Sequence, residues 1–241
     1  MNDPFLEENN WWTESRKGLV IGLVGEYSPG KGGLCEVGCG AGTMLSALKK
    51  STDHECKGIE LDSSLVEKAR SRKLDVQQGD CCSFRLEEKA DVVLLLDVLE
   101  HIEDHEEGFS NCVGQLREGG VVIVTVPAFN SLWSSHDEKL GHCRRYSKDE
   151  VMRLFEKNGL EVRFLSYWNF FLFPAIYLFR KLVNAKPDEV FSVQNSAAGI
   201  FSPLLGSILS AENLLIQRGI RLPVGVSIVA VGVKTNHTNR R

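Results

Sequence analysis

Between residues 34 and 126 the chain alternates two kinds of hydrophobic spacing. The short apolar runs LCEV, CKGIEL, LDVQQGD, DVVLLLDVL and VVIVTVPA predict strands. Between them, TMLSALKK puts Met44, Leu45 and Leu48 on one helical face. SSLVEKARSRK and residues 103–117 predict two further helices. Ser63 or Ser64 is the expected N-cap of the first of these, and Gly119-Gly120 the end of the second. DVVLLLDVL is apolar throughout, as a strand buried on both faces should be. Pro127 is expected to stop the fifth strand. Strands alternating with helices imply right-handed crossovers. The predicted fold class is therefore α/β, a doubly wound parallel sheet with helices on both faces.

The later pattern differs. SKDEVMRLFEKNG predicts an amphipathic helix, with Ser147 and Glu150 as a capping box and Gly159 as its stop. EVRFLSYW and VSIVAVGVK predict a sixth and a last strand. Residues 169–224 are apolar and mostly helix-like, too long for a simple connection. They read as a helical insertion or lid within a single domain, 1–241, with residues 1–30 as an N-terminal helical cover. WNFFLFPAIYLFRKLV reads as a hydrophobic lid on the sheet edge. The alternative is peripheral membrane contact through 169–183, with Arg180 and Lys181 at the headgroups. The run FFLFPAIYLF is shorter than the roughly 20 residues a bilayer span needs, and Pro174 interrupts it.

Composition narrows the partners. Of 241 residues 43% are hydrophobic and 25% charged, and the net charge is -4. No basic field favours nucleic acid. The N-terminus, MNDPFLEENNWWTESRK, lacks the basic and apolar regions of a signal peptide. The 7 cysteines are odd in number and form no CxxC pair, which fits free thiols in a reducing cytosol. A cytoplasmic protein is expected, with peripheral membrane association as the variant.

In an open parallel sheet, ligands bind beyond the carboxyl ends of the strands. The first such end is CEVGCGAGT, where Gly38, Gly40 and Gly42 let the chain turn and a ligand approach the backbone. The spacing is GxGxG. It matches neither the dinucleotide fingerprint GxGxxG nor the phosphate loop GxxxxGK[ST], so a nicotinamide oxidoreductase is disfavoured. A plain strand-to-helix turn remains the simplest other reading. Glu60 ends the second strand 20 positions after Gly40, where an acid can accept both ribose hydroxyls. Asp80 is placed to meet an adenine edge, and Glu36 adds a carboxylate beside the loop. Three acids suit a cationic, phosphate-free adenosine ligand, and S-adenosylmethionine is one.

CEVGCGAG resembles the E/DxGxGxG signature of class I S-adenosylmethionine-dependent methyltransferases. GIELD resembles their second acidic motif and QQGD their third. DVVLLLDVLEHIED followed by LREGGVVIVTVP resembles the small-molecule branch that includes the ubiquinone and menaquinone biosynthesis methyltransferases. The motifs occur in order over residues 34–127. NNWWTESRK also resembles an element N-terminal to this fold, and HDEKLGHCRRYS a segment recurring in bacterial members. The resemblance implies seven strands in order 3-2-1-4-5-7-6, the last antiparallel. It implies S-adenosylmethionine as cofactor and S-adenosylhomocysteine as product. Glu36, Gly38, Cys39, Gly40 and Gly42 would surround the methionine end. Glu60 and Leu61 would take the ribose, and Asp80 with Cys81 the adenine. Asp97 would flank the cofactor, and Arg16 would reach its carboxylate.

The segment WSSHDEKLGHCRRYS then falls at the carboxyl edge of strand five, beside the methyl donor. Methyl transfer needs an aligned, desolvated acceptor, and a hydroxyl acceptor needs a base. His101 and His136 are the candidate catalytic residues. Trp133, His142, Arg144, Arg145 and Tyr146 are the candidate acceptor-binding residues. Plainer roles stay open: His101 packing at a helix start, the arginines in surface pairs with Asp137 or Glu138, Trp133 and Tyr146 as structural aromatics. His101 and His105 have i, i+4 spacing, but no third ligand follows from the sequence, and no metal is assigned. The chain lacks a D/N-P-P-Y motif and a Pro-Cys nucleophile, which discounts nucleobase acceptors. The reading is methyl transfer to a small-molecule or lipid-linked acceptor at oxygen. The alternative is a non-catalytic S-adenosyl-ligand binding protein that regulates a partner.

Overall fold

The computed structural model describes residues 10–182 and 187–235, without the side chains of 179–200. The first helix, α1 (Trp11–Tyr27), is started by Asn10, whose side chain accepts the Thr13 N–H at 2.8 Å. Then β1 (Gly33–Val37), α2 (Thr43–Ser51), β2 (Glu55–Glu60), α3 (Ser63–Ser71) and β3 (Asp75–Gln78) alternate as their spacing demands. β4 (Ala90–Leu96), α4 (His105–Gly114) and β5 (Leu116–Pro127) follow. A short helix α5 (Ser135–Lys139) leads to α6 (Lys148–Lys157) and β6 (Leu160–Trp168). The helices α7 (Phe173–Leu182) and α8 (Pro187–Gln217) precede β7 (Ser227–Lys234).

The strands form one sheet in the order β3-β2-β1-β4-β5-β7-β6. β7 is antiparallel to both its neighbours, and the pairings among β1 to β5 are parallel. The carboxyl ends of β1 to β6 therefore share one edge, where β7 begins. One apolar layer fills the space under α4 and α6, with Phe109 stacked on Phe155. The other lies under α1, α2 and α8 and includes Leu19, Leu23, Leu48, Leu209 and Trp168.

Local chemistry moves some predicted boundaries. Asp62, not Ser63 or Ser64, caps α3, because its carboxylate reaches the Ser64 N–H at 2.7 Å. α4 stops at Gly114, earlier than Gly119-Gly120. The reason is that the Gln115 carbonyl accepts the Ala90 N–H at 2.9 Å, which turns the chain into the sheet. The register then shifts between Ala90 and Val92, so the REGG segment Arg117–Gly120 is a bulge inside β5. Ser147 and Glu150 form the expected capping box, and Gly159 follows α6 with φ +69°.

The segment after β6 folds as helices, and α8 packs on α1. Asn213 of α8 ties three pieces together: it accepts the Trp168 indole N–H at 2.9 Å and donates to the Ser15 carbonyl at 2.7 Å. Trp12 of α1 lies 4.6 Å from the Trp168 ring, centroid to centroid. The buried Glu212 carboxylate accepts backbone N–H groups of Phe170 and Phe171 at 2.9 and 3.3 Å, which fixes the chain leaving β6. No helix among the described residues is long and apolar enough to cross a membrane. The Arg180 and Lys181 side chains, residues 1–9 and the tail after Thr235 lie outside the described residues. Asn213→Ala strands a buried indole N–H, so it should lower stability by about 1–3 kcal/mol in urea unfolding.

Candidate active site

The glycine loop forms because β1 ends against β2. The Gly38 and Cys39 N–H groups both donate to the Ile59 carbonyl, at 2.8 and 3.1 Å. Gly38 has φ +69°, and a side chain there would begin 2.6 Å from Val98 Cγ2. Gly40 has φ +55°, and a side chain there would meet nothing within 4 Å. The loop is thus closed beneath and open above, as a ligand platform must be. Gly42 is the N-cap of α2.

Carboxylates surround this platform. Glu60 accepts the Gly40 N–H at 2.8 Å and the Asp62 N–H at 3.0 Å, so it braces the loop. Leu61, beside it, is 64% exposed. Asp80 is exposed and accepts the Cys82 N–H at 2.7 Å. Cys81 is half-buried, with its sulfur 3.4 Å from that of Cys112. Asp97, just past β4, has φ +56°, strain of a kind that collects at functional edges. It accepts the Thr125 hydroxyl at 3.1 Å and pairs with Arg16 of α1.

Glu36 is only 4% exposed, and its Oε2 has no hydrogen-bond partner. The Arg16 Nε is likewise buried without a partner. Burial pushes the Glu36 carboxyl up to about 8, against the pull of Arg16 and the Leu45 N–H. A buried acid and a half-buried guanidinium, each with an unused hydrogen-bonding atom, fit a zwitterionic ligand. The amino-acid end of S-adenosylmethionine has the matching charges.

The strand-five loop is built around Asp137. Its carboxylate accepts Arg145 Nε at 2.7 Å and the Ser134 N–H at 2.9 Å, and it lies 3.0 Å from His142 Nδ1. Burial works against its ionisation, but the bonds from His142, Arg145 and Ser134 prevail and hold it well below the usual carboxylate range. Arg145 also donates to the Ala128 carbonyl at 3.0 Å. Arg145 and Tyr146, expected to bind the acceptor, are instead buried and engaged by the protein. The Tyr146 hydroxyl reaches the Leu99 carbonyl at 3.3 Å and His105 Nδ1 at 2.9 Å. The Arg145 pair with Asp137 is internal, not the surface pair the sequence allows. Arg144 donates to the Glu103 carbonyl at 2.8 Å. Trp133 is 38% exposed, and His136 lies half-buried on α5.

The loop returns to the end of β4, where the Cys143 N–H donates to the Glu100 carbonyl at 2.6 Å. This brings His142 against His101, with ring centroids 4.7 Å apart. Partial desolvation, then the neighbouring His142, lowers the pKa of His101. His105, the sequence partner considered for His101, is bonded to Tyr146 instead. Three residues escaped the sequence reading as site components. Thr125 supports Asp97, Asp137 anchors the loop, and Glu100 is fully buried with neither carboxylate oxygen partnered by another residue. An acid inside the apolar run VLEH was the available signal for Glu100.

A family model described as "Methyltransferase domain" matches residues 15–164. The chain belongs to the methyltransferase-domain family. A probable S-adenosylmethionine-dependent methyltransferase of Mycolicibacterium smegmatis is 29% identical over 164 residues, 66% of this chain and 63% of that protein. A ubiquinone biosynthesis O-methyltransferase of Nitrobacter winogradskyi is 26% identical over 152 residues, 54% of this chain and 56% of that protein. The chain therefore spans less than two thirds of either relative's length. An N-methyltransferase structure from Bradyrhizobium japonicum, with S-adenosylhomocysteine, superposes with TM-score 0.60 at 14% identity, covering 98% of this chain and 94% of that one. At that identity the likeness is one of fold.

Within this methyltransferase fold, Asp137→Ala should leave Arg145 buried and unpaired, at a cost of about 3–5 kcal/mol in chemical denaturation. A depressed native pKa stabilises the fold above the unfolded Asp value of about 3.9. The difference between wild type and variant should accordingly be full at neutral pH and shrink as pH falls through the acid range.

Proposed function

We propose that the protein is an S-adenosylmethionine-dependent methyltransferase acting on a small-molecule or lipid-linked acceptor, at oxygen. The observation that carries this is the open glycine platform flanked by the unused Glu36 Oε2 and Arg16 Nε. Glu36 and Arg16 would hold the ammonium and carboxylate of the methionine end. Glu60 would receive the ribose hydroxyls, with Leu61 alongside. Asp80 and Cys81 would border the adenine, and Asp97 would keep Arg16 in place. Bound there, the cofactor supplies an electrophilic methyl group on a sulfonium sulfur.

The protein's own task is alignment and exclusion of water. His101, His136 and His142 lie on the segments after β4 and β5, the acceptor side of the glycine loop. His101, held below the ordinary histidine pKa, is neutral at pH 7 and able to accept a hydroxyl proton. His136 is the second candidate base. Trp133, partly exposed on the same loop, is the candidate wall of the acceptor pocket, with Arg144 at its rim. The Nitrobacter relative, an O-methyltransferase of ubiquinone biosynthesis, favours oxygen as the accepting atom. The exposed Phe171, Leu178, Phe201 and Leu204 on the helices after β6 favour an apolar or lipid-linked acceptor.

Calorimetric titration with S-adenosylhomocysteine should give micromolar binding, with NAD as a control that does not bind. Glu60→Ala should weaken that binding roughly 10- to 100-fold, the range for a hydrogen bond to a charged group. Equal affinity in wild type and variant would put the ribose elsewhere. The pH dependence follows from Glu36. Its carboxyl, at about 8, is mostly protonated at pH 7, whereas an ammonium ligand favours the ionised form. Binding must then release a proton. Affinity should rise with pH up to about 8, and the heat should differ between buffers of unlike ionisation enthalpy. Glu36→Gln should remove the proton release.

A further inference from the structure

The thiols of Cys81 and Cys112 meet where the turn after β3 rests on α4. We propose that they form a reversible disulfide when the protein encounters a peroxide, and that this bond lowers the affinity for the adenosyl ligand. The disulfide stands on the thiol geometry alone, and its effect on the ligand rests on the methyltransferase reading.

The turn Asp80–Phe84 is closed on itself and tied to the helix. The Phe84 N–H donates to the Asp80 carbonyl at 2.9 Å, and the Asp80 carboxylate accepts the Cys82 N–H at 2.7 Å. Asn111 of α4 donates from its side-chain amide to the Cys81 and Phe84 carbonyls, at 2.9 and 3.2 Å. One helical turn earlier stands Gly108, where a side chain would begin 3.2 Å from Cys81 Sγ and 3.4 Å from Cys82 Sγ. The missing side chain lets the two sulfurs lie against the helix backbone. Held this way, Cys81 Sγ is 3.4 Å from Cys112 Sγ, and Cys112 Sγ is 3.9 Å from the Cys81 carbonyl. Cys82 is turned elsewhere, with its sulfur 4.0 Å from the Asp104 carbonyl.

A disulfide needs its sulfurs about 2.05 Å apart. Side-chain rotation and a small shift of the turn, which carries the more exposed cysteine, close that gap. Cys81 is half-buried and Cys112 is 0% exposed, so the oxidant reaches Cys81 first. The Cys81 thiolate attacks the peroxide. An S–O bond forms, the O–O bond breaks, and one water leaves with the thiol's proton. The Cys112 sulfur then displaces the hydroxyl of the sulfenic acid, which forms the S–S bond and a second water. Two thiols have lost two electrons, and the peroxide has become two waters. The hydrogen bond with Cys81, then burial, push the Cys112 thiol up, which keeps it protonated before Cys81 is oxidised. Thiol pairs that oxidise in a reducing compartment are usually transient and sensing ones.

The consequence for the ligand follows from position. Cys81 and Asp80 would border the adenine, and the bond draws their turn towards α4 and away from that edge. The ring it closes runs from residue 81 to residue 112 and contains β4 with Asp97 at its end.

The test uses the full chain, reduced and then treated with hydrogen peroxide. Peptide masses without reductant identify the linked cysteines, and calorimetry measures S-adenosylhomocysteine binding before oxidation, after it, and after re-reduction. Exposed Cys143 reports that the peroxide dose is effective. The expected result is loss of two of the 7 thiols to a Cys81–Cys112 link. Affinity should fall about 5- to 150-fold, the span of an ordinary coupling between two events, and return on re-reduction. Cys112→Ser and Cys112→Ala should bind like reduced wild type and keep that affinity under peroxide, and the two together guard against a fold defect in either. Oxidation of Cys143 without any Cys81–Cys112 link overturns the disulfide and leaves the methyltransferase reading intact. A link with unchanged affinity overturns the control of binding, as does an equal loss of affinity in the Cys112 variants. A link that forms in a reduced protein unable to bind S-adenosylhomocysteine supports the disulfide and overturns the cofactor reading instead.

Discussion

The pairing of Arg16 with Asp97 is the contact on which the rest of the site depends. Asp97 stands at the end of the central strand β4 in a left-handed backbone conformation that few non-glycine residues adopt. Its carboxylate joins Thr125 of β5 to Arg16 of α1. One side chain thus connects the two central strands with the helix that covers them. The same pairing leaves the Arg16 Nε buried and unused beside Glu36. Helix α1 is held in turn through Ser15 and Trp12 by Asn213 and Trp168. The helical segment before β7 is therefore a support for the helix that carries Arg16 as well as a cover over the sheet.

The polar segment after β5 divides its labour. Asp137, Arg145 and Tyr146 are internal fasteners, and their burial explains why so much charge follows a core strand. Buried Arg145 needs Asp137, because an unpaired guanidinium in that position is costly. With the loop held this way, His142 arrives beside His101 and near the buried Glu100 carboxylate. Around these fasteners His101 and Trp133 are exposed, and His136 and Arg144 are half-buried.

The fold was legible because hydrophobic period is a local property. Alternating strand and helix patterns from Leu34 to Val126 led to a parallel sheet, and the capping box at Ser147 and Glu150 formed as its spacing required. The boundary errors were local competitions. Asp62 outdid the serines as a cap by reaching two N–H groups, and Gln115 drew the chain into the sheet before the glycines. The acidic candidates were legible because each lies within two residues of a strand's carboxyl end: Glu36 in β1, Glu60 at the end of β2, Asp80 after β3 and Asp97 after β4. Arg145 and Tyr146 were misread because nothing in their neighbours says which way a loop residue faces.

By itself, then, the sequence determined the layers, the edge that carries the site, and the glycine and carboxylate set beside it. These follow from periodicity and from where strands stop. Only the tertiary structure decided that Asp137 pairs inward, that His101 meets His142 rather than His105, and that Glu100 is buried without a partner. The histidine contacts join segments some forty residues apart, and burial is set by what packs over a residue from elsewhere in the chain.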